Sequence, residues 1–275
     1  MTAGPEMQEH AFASAELRKT VLHMAHAGST VHIACAFSII EILAVLYRSH
    51  LNLGDGTPRA KGRDYLVLSK GHGVMAQYAC LYELGWLSRQ DIDSYFRDGT
   101  RLKGLADAHV PGLEATSGTL GHGLSVAVGL AMAARRKRTG QRCYAVVGDG
   151  EMNEGAIWEA LQFAAHFKLD NLLVIVDENR FQAMGATQEV MALGDLRAKF
   201  EAFGFDCKTV NGHDEQALDC ALAQLKLNAS GRPKALVART IKGKGVSFME
   251  GHNTWHYTRL NEDSYQAALA ELGRK

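Results

Sequence analysis

The sequence carries no excess of charge of either sign. Thirty Lys and Arg balance thirty Asp and Glu for a formal net charge of zero, so no overall field favours nucleic acid or an anionic membrane, and a charged ligand has to be held locally. C-x-x-C pairs and zinc-ligand spacings are missing too. The five cysteines, Cys35, Cys80, Cys143, Cys207 and Cys220, are an odd number, which favours free thiols in a reducing compartment, the cytoplasm, over a disulfide framework. The N-terminal stretch MTAGPEMQEHAFASAELRK has no apolar leader core, and the most apolar long stretch, VHIACAFSIIEILAVLY, is interrupted by His32, Ser38 and Glu41. It reads as a buried helix and not a membrane span. There is no internal repeat and no low-complexity segment. A chain of 275 residues has the length for one large α/β domain or two small ones, either with a sizeable core.

What is present is a succession of strand, glycine and helix. Residues 11–27 and 35–50 have helical periodicity, the second burying Ile39, Ile40, Leu43 and Leu46 and leaving Glu41 and Arg48 on the surface. YLVLSKGHG (65–73) is a short apolar strand that breaks into a glycine-flanked His, followed by a helical run through Met75, Tyr78, Ala79 and Leu81. Residues 85–117 are irregular, which is long for a linker inside a compact domain, and loops of that kind often carry a site. SGTLGHGLSVAVGLAMAARRKR then starts a helix among glycines and ends it on basic residues. CYAVVGDG (143–150), the helix in NEGAIWEALQFAAHFKLD and LLVIVDEN (172–179) form a βαβ crossover, which makes the two strands parallel. FDCKTVNGHD and KALVARTIKGKG supply two more strand-and-glycine units around a helix over 214–226. The sum is a single α/β domain over 1–275 with a largely parallel sheet flanked by helices.

Ligands of such sheets bind beyond the carboxyl ends of the strands, near a switch in strand order. Asp149 ends one predicted strand and Asn179 follows the next, so adjacent parallel pairing brings both to one edge of the sheet. A carboxylate, an amide oxygen and the backbone carbonyls of the turn after Asn179 suit a hard cation such as Mg²⁺, completed by water and phosphate oxygens. Cysteine and imidazole are absent from that set, which argues against zinc. Gly150 frees backbone N–H groups just before a helix whose N-terminus favours an anion. Taken alone, GDG is as readily an ordinary turn and DEN a cap; the second element, thirty residues on, argues for a cation and diphosphate site.

GDG followed at this spacing by Asn resembles the signature of thiamine diphosphate enzymes, and the neighbouring segments resemble transketolase. The resemblance implies that Asp149, Asn179 and the Phe181 main-chain carbonyl hold Mg²⁺ and that Gly150 contacts the diphosphate, with Glu151 beside it. LSKGHG resembles the strand-turn whose His, here His72, lies over the diphosphate and substrate. SGTLGHG resembles the segment that would place Gly118 and Leu120 at the aminopyrimidine end of the cofactor. His32 and His256 match substrate-facing and diphosphate-side histidines. Glu154, assigned a catalytic role, and Glu159 match glutamates of a subunit interface that link paired active sites. In the family the acid that activates the cofactor sits on a second, pyrimidine-binding domain. This chain therefore resembles the N-terminal half of a split transketolase, expected to be inactive alone and to work with a separate chain of about three hundred residues, in a heterotetramer with two copies of each. The activity so implied is transfer of a two-carbon ketol unit from a ketose, as its phosphate, to an aldose.

The match departs from the family in places. Gly104-Leu105-Ala106 stands where many relatives have Gly-His-Pro, whose His recognises the hydroxymethyl group of a ketose donor. Unless His109 compensates, a hydroxylated donor loses a polar partner at a cost of about 1–3 kcal/mol. An acyloin-forming or decarboxylating enzyme with a 2-oxo acid donor is thus the enzymatic alternative, and a cofactor-binding scaffold without turnover the non-catalytic one. Met184 replaces a family Asp. His122 stands where Gln is usual and stays undecided, as does His213, whereas His23, His26, His50 and His166 read as ordinary. Trp158 and Phe163 read as core or interface, and RRKR at 135–138 as a solvated helix end.

Overall fold

The computed structural model describes residues 12–273; Ala11, where the first predicted helix begins, lies outside them. The strands are β1 (Tyr65–Leu68), β2 (Cys143–Gly148), β3 (Leu172–Glu178), β4 (Phe181–Gln182), β5 (Gly185–Ala186), β6 (Asp206–Asn211) and β7 (Lys234–Arg239). Five of them make one sheet in the order β1-β2-β3-β7-β6, every neighbouring pair parallel. The central strands are continuous apolar runs because both faces of the sheet are covered. Leu66, Leu68, Tyr144, Val146, Leu173, Ile175 and Leu236 enter one hydrophobic cluster, and Val67, Ala145, Val147, Val174, Val176 and Val237 the other. Successive residues of a strand thus alternate between two cores, as the pleat requires.

On the first face lie α1 (Ser14–Ala27), α2 (Ile33–Phe37), α3 (Ile40–Val45), α4 (Val74–Glu83), the short α5 (Arg89–Asp93), α10 (Glu215–Leu227) and α11 (Glu262–Leu272). On the second lie α6 (His122–Lys137), α7 (Gly155–His166) and α9 (Leu196–Ala202), while the one-turn α8 (Thr187–Met191) packs beside β5. The basic end of α6 is exposed, and Arg135 there donates to the carbonyls of Phe167 and Lys168. Trp158 is half-buried and donates its indole N–H to Met152 O at 2.8 Å, while Phe163 is exposed beside Phe167. Among the described residues no helix is long and apolar enough to cross a membrane, and all five cysteines are free.

Two expectations need correction. The helix expected over 35–50 is broken into α2, α3 and a π-helical turn over Leu46–His50. The break falls at Ser38 and Ile39, where Ser38 Oγ donates to Cys35 O at 3.1 Å and to Asp177 Oδ2 at 2.7 Å; a side chain bonding back into the backbone competes with helix continuation. Glu41, expected on the surface, is buried. It pairs with Arg18 at 2.7 Å and with His213 Nδ1 at 3.0 Å, which also makes His213 a structural residue, since its Nε2 accepts from Ile241 N at 2.8 Å.

The strand ends share one edge of the sheet. Lys70 follows β1, Asp149 follows β2, Asn179 follows β3 and Thr240 follows β7, so one edge collects residues from four separate parts of the chain. The break in strand order, between β3 and β7, lies within that set.

Candidate active site

A cavity of about 190 Å³ opens at this edge. It brings together His32, His72, Leu105, Gly118, Leu120, Asp149, Gly150, Glu151, Asn179, Phe181 and His256 from the sequence-predicted set. Glu154 does not line it; this residue precedes α7 and is exposed, as is Glu159. His109 is exposed and bonded to Asp107 at 2.7 Å, outside the cavity. His122 is exposed, its Nδ1 3.1 Å from Leu120 O.

The metal-type residues are held by the turn after β3. Arg180 adopts φ 66°, a left-handed conformation costly for a side-chain-bearing residue and typical of functional sites. The turn aims Arg180 N at Asp149 Oδ2 (2.6 Å) and Phe181 N at Asn179 Oδ1 (3.0 Å). The β4–β5 hairpin then brings Gln182 against the GDG turn so closely that a Cβ at Gly150 would lie 2.6 Å from Gln182 Cβ. Only glycine fits there.

Asp149 is buried, and burial first, then the neighbouring Asp177 charge, pushes its carboxyl up to about 7. A buried acid in that state has its charge under-compensated, which a cation would correct. Asn179 Oδ1 accepts from Phe181 N, which occupies one of the two lone pairs of an amide oxygen. Gly150 N–H, expected to contact a diphosphate, instead donates to Asp149 Oδ1 at 2.8 Å. The donor lacking a partner is Gln182 Nε2, buried in the cavity wall with no hydrogen bond among the described residues. A buried amide N–H without an acceptor is costly and fits a ligand oxygen. The donor set therefore suits a hard cation with a diphosphate. Among the described residues no group of three or more His, Cys, Asp or Glu side chains is arranged to hold a metal; the set at this edge rests on one carboxylate, one amide and main-chain oxygen instead.

Glu151 lines the cavity but its oxygens serve the protein. Oε1 accepts from Ser69 Oγ (2.5 Å) and Gly121 N (2.9 Å), and Oε2 from Gly148 N (3.1 Å). It ties the end of β1, the start of α6 and the GDG turn together. Gly121, at φ 84°, supplies the left-handed turn this needs.

Three imidazoles form a triangle, with ring centroids 5.5 Å apart for His32 and His72, 5.0 Å for His32 and His256, and 5.7 Å for His72 and His256. Burial lowers the pKa of all three, with Lys242 adding to it at His32 and His256 and Lys70 at His72; His256 falls to about 3. All are neutral near pH 7. His256 Nδ1 lies 2.9 Å from Lys242 Nζ, so it accepts there and its other nitrogen carries the proton. His32 takes a left-handed φ of 71°, and its N–H donates to His256 O at 3.1 Å.

The sequence reading missed the ionic base of the site. Lys70 is wholly buried and pairs with Asp177, donating also to Cys35 O at 3.1 Å and Ser38 Oγ at 3.4 Å. Asp177 further accepts from Thr240 Oγ1 and, at 2.8 Å, from Asn179 Nδ2. Burial alone would raise the Asp177 carboxyl, but Lys70 and these donors hold it below the usual carboxylate range. Burial alone would lower the Lys70 ammonium, yet Asp177 holds it above its ordinary value. Because Asp177 takes the Asn179 amide N–H, Asn179 Oδ1 faces the other way, where it accepts from Phe181 N.

Residues 13–275 match the family model described as transketolase, thiamine diphosphate binding domain. The chain belongs to that family. It is similar to an apulose-4-phosphate transketolase subunit of Phocaeicola vulgatus, at 37% identity over 94% of this chain and 92% of that one. It is 38% identical to 6-deoxy-6-sulfo-D-fructose transketolase subunit SqwG of Clostridium sp., over 94% of each chain. Among solved structures, transketolase from Campylobacter jejuni superposes with a TM-score of 0.88 at 29% identity over 99% of this chain and 43% of that one. Transketolase from Leishmania mexicana gives 0.87 at 30% identity over 94% and 40%. The chain thus spans about two-fifths of those solved transketolases. The transketolase-type α/β fold and the use of thiamine diphosphate with a divalent metal, both implied by the motifs, are borne out.

Proposed function

We propose that the chain is the diphosphate-binding subunit of a two-chain transketolase that moves a two-carbon ketol unit from a ketose phosphate to an aldose. The observation that carries this reading is the cavity in which an under-compensated Asp149 and Asn179 face three neutral histidines. Asp149, Asn179 and the Phe181 carbonyl would hold the cation. Gln182, and Gly150 once a cation draws Asp149 Oδ1 away from it, would donate to the diphosphate. Gly118 and Leu120 would flank the aminopyrimidine. Bound thiamine diphosphate supplies a carbon nucleophile that accepts and releases the two-carbon unit. His32, His72 and His256, kept uncharged by burial, would orient donor and acceptor oxygens and pass protons between them. Glu151 acts by holding the turns in place.

The partner is a separate pyrimidine-binding subunit; the Phocaeicola and Clostridium relatives both carry names as transketolase subunits. The surface supports two contacts. Around the cavity, Met184, Tyr257, Phe96 and Leu105 are exposed apolar groups, and Val126, Phe163 and Phe167 are exposed on α6, α7 and the turn that follows; isolated exposed apolar residues are ordinary, but grouped ones mark interfaces. One contact would bring the activating glutamate of the partner to the cofactor, the other would pair two such units into an α₂β₂ assembly with Glu154 at the junction.

Leu105 in the cavity wall favours a second reading, an acetyl-type donor. Single-turnover assays of the purified pair with a ketose phosphate and with pyruvate decide the matter. Ketol transfer only with both chains and only from the ketose is expected. Turnover of pyruvate alone would favour the second reading, turnover by this chain alone would refute the two-chain reading, and no turnover of either would leave a binding scaffold. A Leu105→His variant should raise kcat/KM for a ketose about tenfold, consistent with one restored hydrogen bond.

A further inference from the structure

The β4–β5 hairpin carries two of the groups assigned to the cofactor, the Phe181 carbonyl and the Gln182 amide, yet it has little structure to fix it. Each strand is two residues long, and the pair forms a sheet of its own, apart from the main one. An isolated hairpin of that size is at best marginally stable in water, so tertiary contacts have to position it. At its base, Thr187 N donates to Arg180 O at 2.9 Å and Phe181 N to Asn179 Oδ1 at 3.0 Å. Its tip is tied by Asn253, whose Nδ2 donates to Ala183 O at 3.1 Å.

Asn253 does not line the cofactor cavity. It opens the short turn Asn253–His256, which also carries His256, and that turn has a firm base. Gly251 N donates to Lys242 O at 2.9 Å and His32 N to His256 O at 3.1 Å, while Trp255 packs on the core beside Phe248, their ring centroids 5.3 Å apart. The direction of the Asn253 amide is set as well. Its Oδ1 accepts from Lys242 Nζ at 2.7 Å; an ammonium can only donate, so Nδ2 faces the other way, onto Ala183 O. The same buried ammonium lies 2.9 Å from His256 Nδ1 and 5.8 Å from the centroid of the Phe181 ring, within cation–π range. One cation thus meets the hairpin, the residue that ties it and a cavity histidine.

Resting on the reading that Phe181 and Gln182 bind the cation and the diphosphate, we propose that Asn253 is a positioning residue of the cofactor site. It holds the hairpin tip against the wall that carries His256 and so sets where the Phe181 carbonyl and the Gln182 amide stand. Lys242 selects the amide orientation that makes the tie. Asn253 acts through the hairpin and not by contact with the ligand.

Asn253→Asp and Asn253→Leu test this. The first keeps an acceptor for Lys242 and loses the donor to Ala183; the second loses both without adding charge. In the full chain without ligands, amide hydrogen exchange over 181–186 should quicken about tenfold in both variants, the loss of one hydrogen bond. The urea midpoint should stay at the parent's value, which separates loss of position from loss of fold. In the reconstituted pair loaded with thiamine diphosphate, the dissociation constant for Mn²⁺ should rise about tenfold in both. Unchanged exchange in both variants overturns the tie, and so does unchanged Mn²⁺ affinity in both. Weakening in the Asp variant alone is an effect of its charge and overturns it too, as does a fall in the urea midpoint large enough to account for the lost affinity. If the parent pair binds no Mn²⁺, the cation reading fails by itself, and the exchange comparison then decides whether Asn253 holds the hairpin.

Discussion

Asp149 and Asp177 stand at the same edge of the sheet, one just after β2 and the other within the neighbouring β3, and both are buried. Asp177 is surrounded by donors, an ammonium among them, and is held ionised. Asp149 receives two backbone N–H bonds, a distant hydroxyl and no cation in contact, and its carboxyl is pushed up to about 7. The difference separates structure from function. A carboxylate satisfied from within belongs to the scaffold, and one left short of positive charge belongs to whatever binds there.

Breaking the satisfied member should cost most. Lys70→Met leaves Asp177 as a buried charge without its counter-ion, and urea denaturation should show a loss of about 3–5 kcal/mol; a loss under about 1 kcal/mol would erase the contrast. The unsatisfied member should appear in the pH dependence of the metal-free chain. A carboxyl raised from 3.8 to about 7 stabilises the fold fully below its unfolded pKa and loses that contribution as pH rises through 7, by up to about 4 kcal/mol. His256, lowered from 6.5 to about 3, acts in the opposite direction and loses stability as pH falls. The informative quantity is therefore wild type minus Asp149→Asn, which should decline between about pH 4 and 7 without metal and flatten with Mg²⁺ and cofactor.

The same Asp149→Asn variant should weaken Mn²⁺ binding, read by titration of the folded chain with cofactor, on the order of a hundredfold, more than loss of a supporting contact would. Smallest is Ser38→Ala, which removes one of several donors to Asp177. It should cost about 1 kcal/mol and leave cation affinity as it was. A variant that instead lost the cation would show that Asp177 and Asp149 act as one unit.

The parallel strands were legible because each is a short apolar run ending in glycine or acid, and the convergence of Asp149 on Asn179 followed from pairing two such runs. The three histidines were legible only through the resemblance, since nothing in their spacing brings residues 32, 72 and 256 into one triangle. Lys70 gave no signal at all: a lysine after a strand is ordinarily solvated, and its partner lies 107 residues away. The break in the helix after Phe37 was hidden for the same reason, its cause being a bond between Ser38 and Asp177, 139 residues apart. Glu41 read as a surface residue on periodicity, because the pattern counts apolar side chains and not the arginine and histidine that come to meet an acid.

By itself the sequence determined the elements, their parallel arrangement and the oxygen-rich character of the edge, because hydrophobic period, glycine placement and side-chain chemistry are local properties. Only the tertiary structure decided which acid is neutralised from within, which way the Asn179 amide points and which side chains the Lys242 ammonium joins. Those depend on charges meeting in a buried space, where low dielectric makes the identity of a neighbour matter more than its distance along the chain.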